Sequence, residues 1–377
     1  MLYYAYGNAL LTAEEVFDPS VFDPLQGFFD ALEGGGRPDS LGLPGGALTP
    51  DNAVKNNRFG DEIIPFAPVG PGKPLTLMIS EVYTGRFPKG SLFKRTEDML
   101  VTSAVKNSVM PDAKPRALNM LKQEVAQKTR PTPAATEKGG PLIFYSPALL
   151  DVSLTLDLTM AFDTFDQQVF DQIAGALAEI AGVPLFATQS FYLIAGGMIM
   201  KLVGRLGEVI FDSSPEFNSS DVLNISLPGR PPLPAGYLLI TSENLGPAED
   251  EFRRKHHVDA NGTLVDANGE RYRGEVPYMI VTSDGTPQES FKNFTPTAVS
   301  AAVLSRFFNI KEDQALPLDI VIDALKLYND IRFRSDLDRL DEQIKGLKDD
   351  DPKKAELLKK REALLANILE EKLKPKP

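Results

Sequence analysis

The sequence predicts an α+β protein, with an antiparallel β-sandwich, a helical insertion within it and a C-terminal helical region ending in a helical hairpin. Three observations carry that prediction. In "SLTLDLTMAF" (153–162), Leu154, Leu156, Leu158, Met160 and Phe162 alternate with small or polar residues, the pattern of a half-buried strand. From Leu75 to about residue 290, short apolar segments recur between Gly, Pro, Asn and Asp clusters, as in all-β domains. Beyond Phe294 the apolar spacing lengthens to 3 and 4, the helical period. The expected organisation is an N-terminal arm with a Gly/Pro-rich connection (1–74), a sandwich (75–293) with its helical insertion at 164–212, and a helical region (294–377).

In the arm, Thr12 and Glu15 stand three apart, as in a capping box. Leu25, Phe28, Phe29 and Leu32 share one helical face, and Gly34 to Gly36 end that helix. From Gly34 to Pro74 the composition is that of a long surface connection.

Strands are expected over 75–83, 99–106, 142–145, 153–162, 222–227, 236–241, within 256–273, and over 276–282. "PRALNMLKQEVAQK" has helix-forming composition, and "TRPTPAATEKGG" after it has that of a flexible, protease-accessible linker over 127–140. Thr164 and Gln167 are spaced as a capping box for a helix over 167–181, with Val169, Phe170, Ile173, Leu177 and Ile180 as its stripe.

Residues 180–200 hold no charged side chain, enough in length for a membrane span. Gly182 and Pro184 interrupt the run, Thr188 to Ser190 suit a cap, and Lys201, Arg205 and Glu208 then line one face of the continuation. The expectation is therefore two amphipathic helices filling a core rather than crossing a bilayer.

In the C-terminal region, Thr295 and Pro296 begin one helix and "LPLDIVIDALKLYNDI" forms the next. Leu337, Leu340, Ile344 and Leu347, then Leu357, Leu364 and Ile368, suit a coiled-coil-like hairpin able to bind a protein partner. Residues 335–377 carry 11 acidic and 11 basic side chains, so this tail is neutral within a chain of net charge −12.

Composition removes several chemistries. With no cysteine there are no disulfides, thiolate nucleophiles or cysteine metal sites. Net acidity disfavours nucleic-acid binding, which requires a basic surface. His256 and His257 are the only histidines; on a strand they point to opposite faces and suit no shared metal. "VDANGTLVDANGERY" (258–272) has glycine too early for a calcium loop and suggests two tight Asn-Gly hairpin turns instead. "GPGKPLT" lacks the remaining residues of a phosphate loop. Asp151, Asp163, Asp166 and Asp212 flank elements, where capping accounts for each separately. No catalytic residue, cofactor or metal site is therefore expected.

One local exception to the acidity is "GRFPKGSLFKR" (85–95). Arg86, Phe87, Lys89, Phe93, Lys94 and Arg95 interleave cations with aromatics and are candidates for an anionic ligand or partner surface. The amino terminus lacks the charged and apolar segments of an export signal, so cytoplasmic residence is expected. The function expected is that of a non-catalytic interaction or scaffold protein. The alternative is a membrane-acting effector that releases the apolar helices of 164–212 after cleavage near 127–140.

Overall fold

The computed structural model describes residues 1–53, 56–59, 62–89, 96–107, 116–131, 141–164, 183–187, 191–195, 198–202, 216–227, 233–242, 245, 248–291, 318–348 and 351–375. The chain opens with β1 (Leu2–Tyr6), β2 (Ala9–Thr12), α1 (Ala13–Phe17) and α2 (Pro19–Glu33). Two small hairpins follow, β3 (Leu41–Leu43) with β4 (Gly46–Leu48), and β5 (Asn56–Phe59) with β6 (Glu62–Pro65), separated by α3 (Pro50–Ala53). The long strands are β7 (Leu75–Tyr83), β8 (Thr96–Asn107), β9 (Arg116–Ala126), β10 (Leu142–Ser146) and β11 (Ser153–Asp163). Next come β12 (Val183–Ala187), β13 (Phe191–Ala195), β14 (Met198–Leu202), β15 (Phe217–Asn224) and β16 (Gly236–Thr241). The chain continues through α4 (Glu249–Lys255), β17 (His256–Val258), β18 (Leu264–Asp266) and β19 (Tyr278–Asp284) to α5 (Leu318–Lys345) and α6 (Pro352–Asn367).

These elements make a mixed α+β fold with two large sheets, every strand pair antiparallel. One sheet runs β10-β7-β19-β16-β1-β2 and the other β14-β13-β12-β9-β8-β11-β15. One apolar cluster draws on both. Leu2, Tyr4, Leu77, Leu238 and Met279 come from the first sheet; Met99, Val101, Leu154, Leu156, Leu158, Met160 and Phe217 come from the second. Strand alternation sends the intervening residues of the first sheet the other way. Tyr3, Leu10, Tyr237, Leu239, Tyr278 and Ile280 form a second cluster with Phe252 of α4, Val258 of β17, Leu264 of β18 and Tyr272. Strands β1, β2, β16 and β19 are thus buried on both faces, and the segment from α4 to Val276 covers the second.

The arm is part of this sheet, because β1 pairs with β16. Thr12 and Glu15 form the expected capping box: the Thr12 amide donates to Glu15 Oε2 at 2.8 Å and the Glu15 amide to Thr12 Oγ1 at 3.2 Å. It caps the short α1; Asp18 caps α2, accepting from the Ser20 amide at 2.8 Å. Leu25 and Phe28 enter the shared core, and Phe29 and Leu32 pack on it.

Two expectations of helix are overturned. Residues 116–126 form β9, whose helix-like spacing arises from two register shifts in its pairing with β8. Each shift adds a residue to β9, and between the shifts Met120 and Leu121, paired with buried Val101 and Leu100, are buried on opposite faces, so the period-2 signal is lost. Within 164–212, residues 183–187, 191–195 and 198–202 are not helical but form the meander β12–β14, which extends the seven-stranded sheet from β9. The hairpin signal was present in the sequence: Ala195 pairs with Met198, and the dipeptide between them in the chain is Gly-Gly, a preferred sequence for a tight hairpin. The expected helix over 167–181, Arg205, Glu208, and the helix starting at Thr295 lie outside the described residues.

The expected pair of helices on either side of residue 331 is one helix, α5, 28 residues long. Phe333, Leu337, Leu340, Leu364 and Ile368 form an apolar cluster between α5 and the α6 region, with Leu150 packed against it. The Asn367 side chain donates to Ala148 O at 2.7 Å, and the Asp330 carboxylate accepts from the Leu369 and Glu370 amides. These bonds fix the helices to one another and to the chain beyond β10. No helix among the described residues is long and apolar enough to cross a membrane.

Candidate functional site

The basic turn after β7 is anchored at its centre. Phe87 is buried and meets Phe162 of β11 at 6.3 Å between ring centroids. The Arg86 guanidinium lies 5.6 Å and the Lys89 ammonium 5.3 Å from the Phe87 ring centre, so both cations pack against the ring. The backbone ties this turn to two other segments. The Arg86 amide donates to Glu275 O at 2.9 Å, and the Lys128 amide to Gly85 O at 2.8 Å. Gln127 donates from its side chain to Pro88 O at 2.8 Å. Phe93, Lys94 and Arg95 lie outside the described residues.

Next to this turn sits an aromatic and charged cluster that the sequence did not reveal. Tyr278 donates its hydroxyl to Glu81 Oε1 at 2.6 Å, and Arg130 lies over Tyr83 with its guanidinium carbon 4.5 Å from the ring centre. The same guanidinium donates to Tyr272 O, and to Tyr278 Oη at 3.3 Å. Tyr83 packs on Tyr272 at 5.5 Å and on Tyr278 at 5.1 Å. Burial raises the Tyr83 phenol to about 12. Burial first, and Glu81 beside it second, also raise Tyr278. These phenols stay protonated at neutral pH, and the cluster is a neutralised brace. The stretch 127–131 is thereby fixed where a flexible linker was expected; residues 132–140 lie outside the described residues.

His256 takes part in the same brace. His256 Nδ1 lies 2.9 Å from Phe252 O, and its ring packs 5.0 Å from both Phe252 and Tyr272. The ring serves packing. Arg253 is a second buried cation: it donates to Leu10 O at 3.2 Å and pairs with Glu15 and Asp250. Burial opposes its charge, and the bond to Glu15 leads the interactions that outweigh it, so its pKa is raised.

The two Asp-Ala-Asn-Gly segments are turns of a type other than the one expected. Only Gly262 (φ 74°) and Gly269 (φ 78°) are left-handed; Asn261 and Asn268 are not. The Asp259 carboxylate accepts from the Asn261 and Thr263 amides at 2.9 Å, and Asp266 does the same for Asn268 and Glu270. Each loop is therefore a side-chain-stapled turn closed by a left-handed glycine. The Asp266 carboxyl is held below its ordinary range chiefly by the bond from the Glu270 amide. Among the described residues, no group of three or more His, Cys, Asp or Glu is placed to hold a metal. Asp151 is buried, Asp163 accepts from the Thr164 amide at 2.7 Å, and Asp166 and Asp212 lie outside the described residues.

In the helical pair, Leu337, Leu340, Leu364 and Ile368 are buried against each other, with Ile344 and Leu357 partly buried beside them. Leu347 is half-buried past the end of α5. The seam predicted for a partner is thus filled from within the chain, with Phe333, Leu365 and Leu373 as further members. The opposite face of α5 differs. Leu327, Tyr328 and Ile331 are 48, 38 and 52 % exposed, half of the large exposed apolar side chains among the described residues. Below them a shallow open groove is lined by Ile331, Arg334, Ser335, Asp338, Arg339 and Glu342. The chain matches no family model, no curated protein and no solved structure.

Proposed function

We propose that this is a non-catalytic cytoplasmic interaction protein that acts through protein–protein contacts. In this reading the two sheets face each other as a sandwich, and α5 and α6 form a helical hairpin standing on it. The inner seam, with Phe333, Leu337, Leu340 and Ile344 at coiled-coil spacing, holds the hairpin together. The outer face meets the partner. One observation carries the reading: Leu327 and Ile331 are about half exposed, and Tyr328 between them is partly exposed, within two turns of one helix. Isolated exposed apolar residues are ordinary, whereas a cluster on a rigid helix is the usual form of a contact site.

A photo-reactive residue placed at position 331, in cells expressing the full chain, tests this. Adducts are expected at 331 and absent when the same residue replaces Val222, which is equally exposed on β15. Equal labelling at both positions, or none at 331, sinks the proposal.

The membrane-acting alternative gains little from the geometry. Strands β12, β13 and β14 have five residues each. Such a strand reaches about 17 Å, roughly half of the hydrocarbon thickness. Leakage of dye from anionic liposomes on addition of the full chain is the result that would favour that alternative.

A further inference from the structure

We infer that the partner on the outer face of α5 is a second copy of this chain, packed antiparallel about a two-fold axis through Ile331. The inference rests on the reading of that face as a contact surface and adds its occupant. An isologous contact requires a surface complementary to itself, so each residue must find an acceptable neighbour at its symmetry-related position. With Ile331 on the axis, the two isoleucines meet each other. Leu327 of one copy then lies opposite Ser335 of the other, and Tyr328 lies opposite Arg334. A leucine over a small hydroxyl and a tyrosine beside a guanidinium are both favourable pairings. No like charges face each other at these positions.

Charge distribution supports the same occupant. The chain carries a net charge of −12, which makes copies repel one another over most of their surfaces. The 11 acidic and 11 basic side chains of residues 335–377 cancel, so the helical pair is where a second copy approaches without that cost. The groove below Ile331 continues the theme. Arg334 pairs with Asp338 at 2.9 Å, and Arg339 pairs with Asp336, so its rim is already neutralised within one chain. A contact formed by one stretch of helix lies at the small end of specific interfaces, so the dimer is expected to be weak and reversible, in the micromolar range.

The absence of native cysteine makes the test direct. Close-packed helices with axes about 8–10 Å apart bring residues on a two-fold axis within disulfide range. Ile331→Cys in the full chain is expected to form a covalent dimer under mild oxidation at least about tenfold faster than Leu358→Cys, an exposed control on α6. In parallel, the sedimentation coefficient of the unaltered chain is expected to rise with concentration, and that of Ile331→Glu to stay constant. Equal oxidation rates for the two cysteine variants, or an unaltered chain that stays monomeric throughout, overturns the inference. The underlying reading fails separately: a monomeric chain whose position 331 still cross-links to another protein keeps the contact face and loses the dimer. A position 331 that captures nothing loses both.

Discussion

The six-stranded sheet and helix α5 bury their apolar residues in different ways. Strands β1, β2, β16 and β19 alternate between two cores, so Tyr3 and Tyr4, neighbours in sequence, are both out of solvent on opposite faces. Among its described side chains, helix α5 buries one face, through Phe333, Leu337 and Leu340, and leaves Leu327, Tyr328 and Ile331 partly exposed on the other. A helix covered on one side is a scaffold and a surface at once, and its two faces are expected to respond to substitution in opposite ways.

The largest effect is expected in the sheet. Tyr278→Ala removes a fully buried ring and leaves Glu81 and Arg130 without its hydroxyl. It should cost about 3–5 kcal/mol in urea unfolding. A loss close to that of a surface substitution would mean the brace is not part of the core. On the inner face of α5, Leu337→Ala, also fully buried, should cost about 2–4 kcal/mol.

High pH offers a second way to separate the regions. Burial raises Tyr83 and Tyr4 from 10.0 to about 12. Between those values the unfolded chain has released phenolic protons that the folded chain still holds, so stability is complete below pH 10 and falls as pH rises towards 12. Phenolate absorbance and loss of the sheet's circular dichroism should therefore appear together in that window. Phenolate absorbance from these buried rings well below it, with the fold intact, would contradict their placement.

A smaller contrast lies in the paired loops. Gly269→Ala meets nothing within 4 Å and should cost only the left-handed strain, about 1 kcal/mol. Gly262→Ala carries the same strain and also places its Cβ 2.7 Å from the Tyr237 ring, so it should cost more. Equal losses in thermal unfolding would show that Tyr237 does not cover the first loop.

What the sequence revealed follows the same division. Regular alternation made β11 legible and a short apolar run between turn signals made β7 so, and the capping box and the apolar face of α2 were visible because both are local signals. Strand β9 was hidden because two bulges broke its period and left a helix-like spacing of Leu118, Leu121 and Val125. The meander β12–β14 was hidden because its residues are apolar without alternation, the case in which strand and helix look alike and only the Gly196-Gly197 pair distinguishes them. The brace was hidden for another reason. Glu81, Arg130, Tyr272 and Tyr278 lie far apart in the chain, and no local pattern brings them together. Of the basic turn, the sequence showed the cations but not that Phe87 is the buried anchor beneath them. The helical seam was legible from spacing, while the exposed face of α5 was not, because apolar residues surround its N-terminal half in sequence.

The most direct measurement is equilibrium urea unfolding of Ile331→Ser beside Leu337→Ala at low protein concentration. If α5 has one closed face and one open face, Ile331→Ser leaves the unfolding free energy within about 0.5 kcal/mol of the unaltered chain while Leu337→Ala lowers it several-fold more. A loss at Ile331 as large as that at Leu337 would show that the face is already occupied within the fold, and the account of α5 as a contact surface would be wrong.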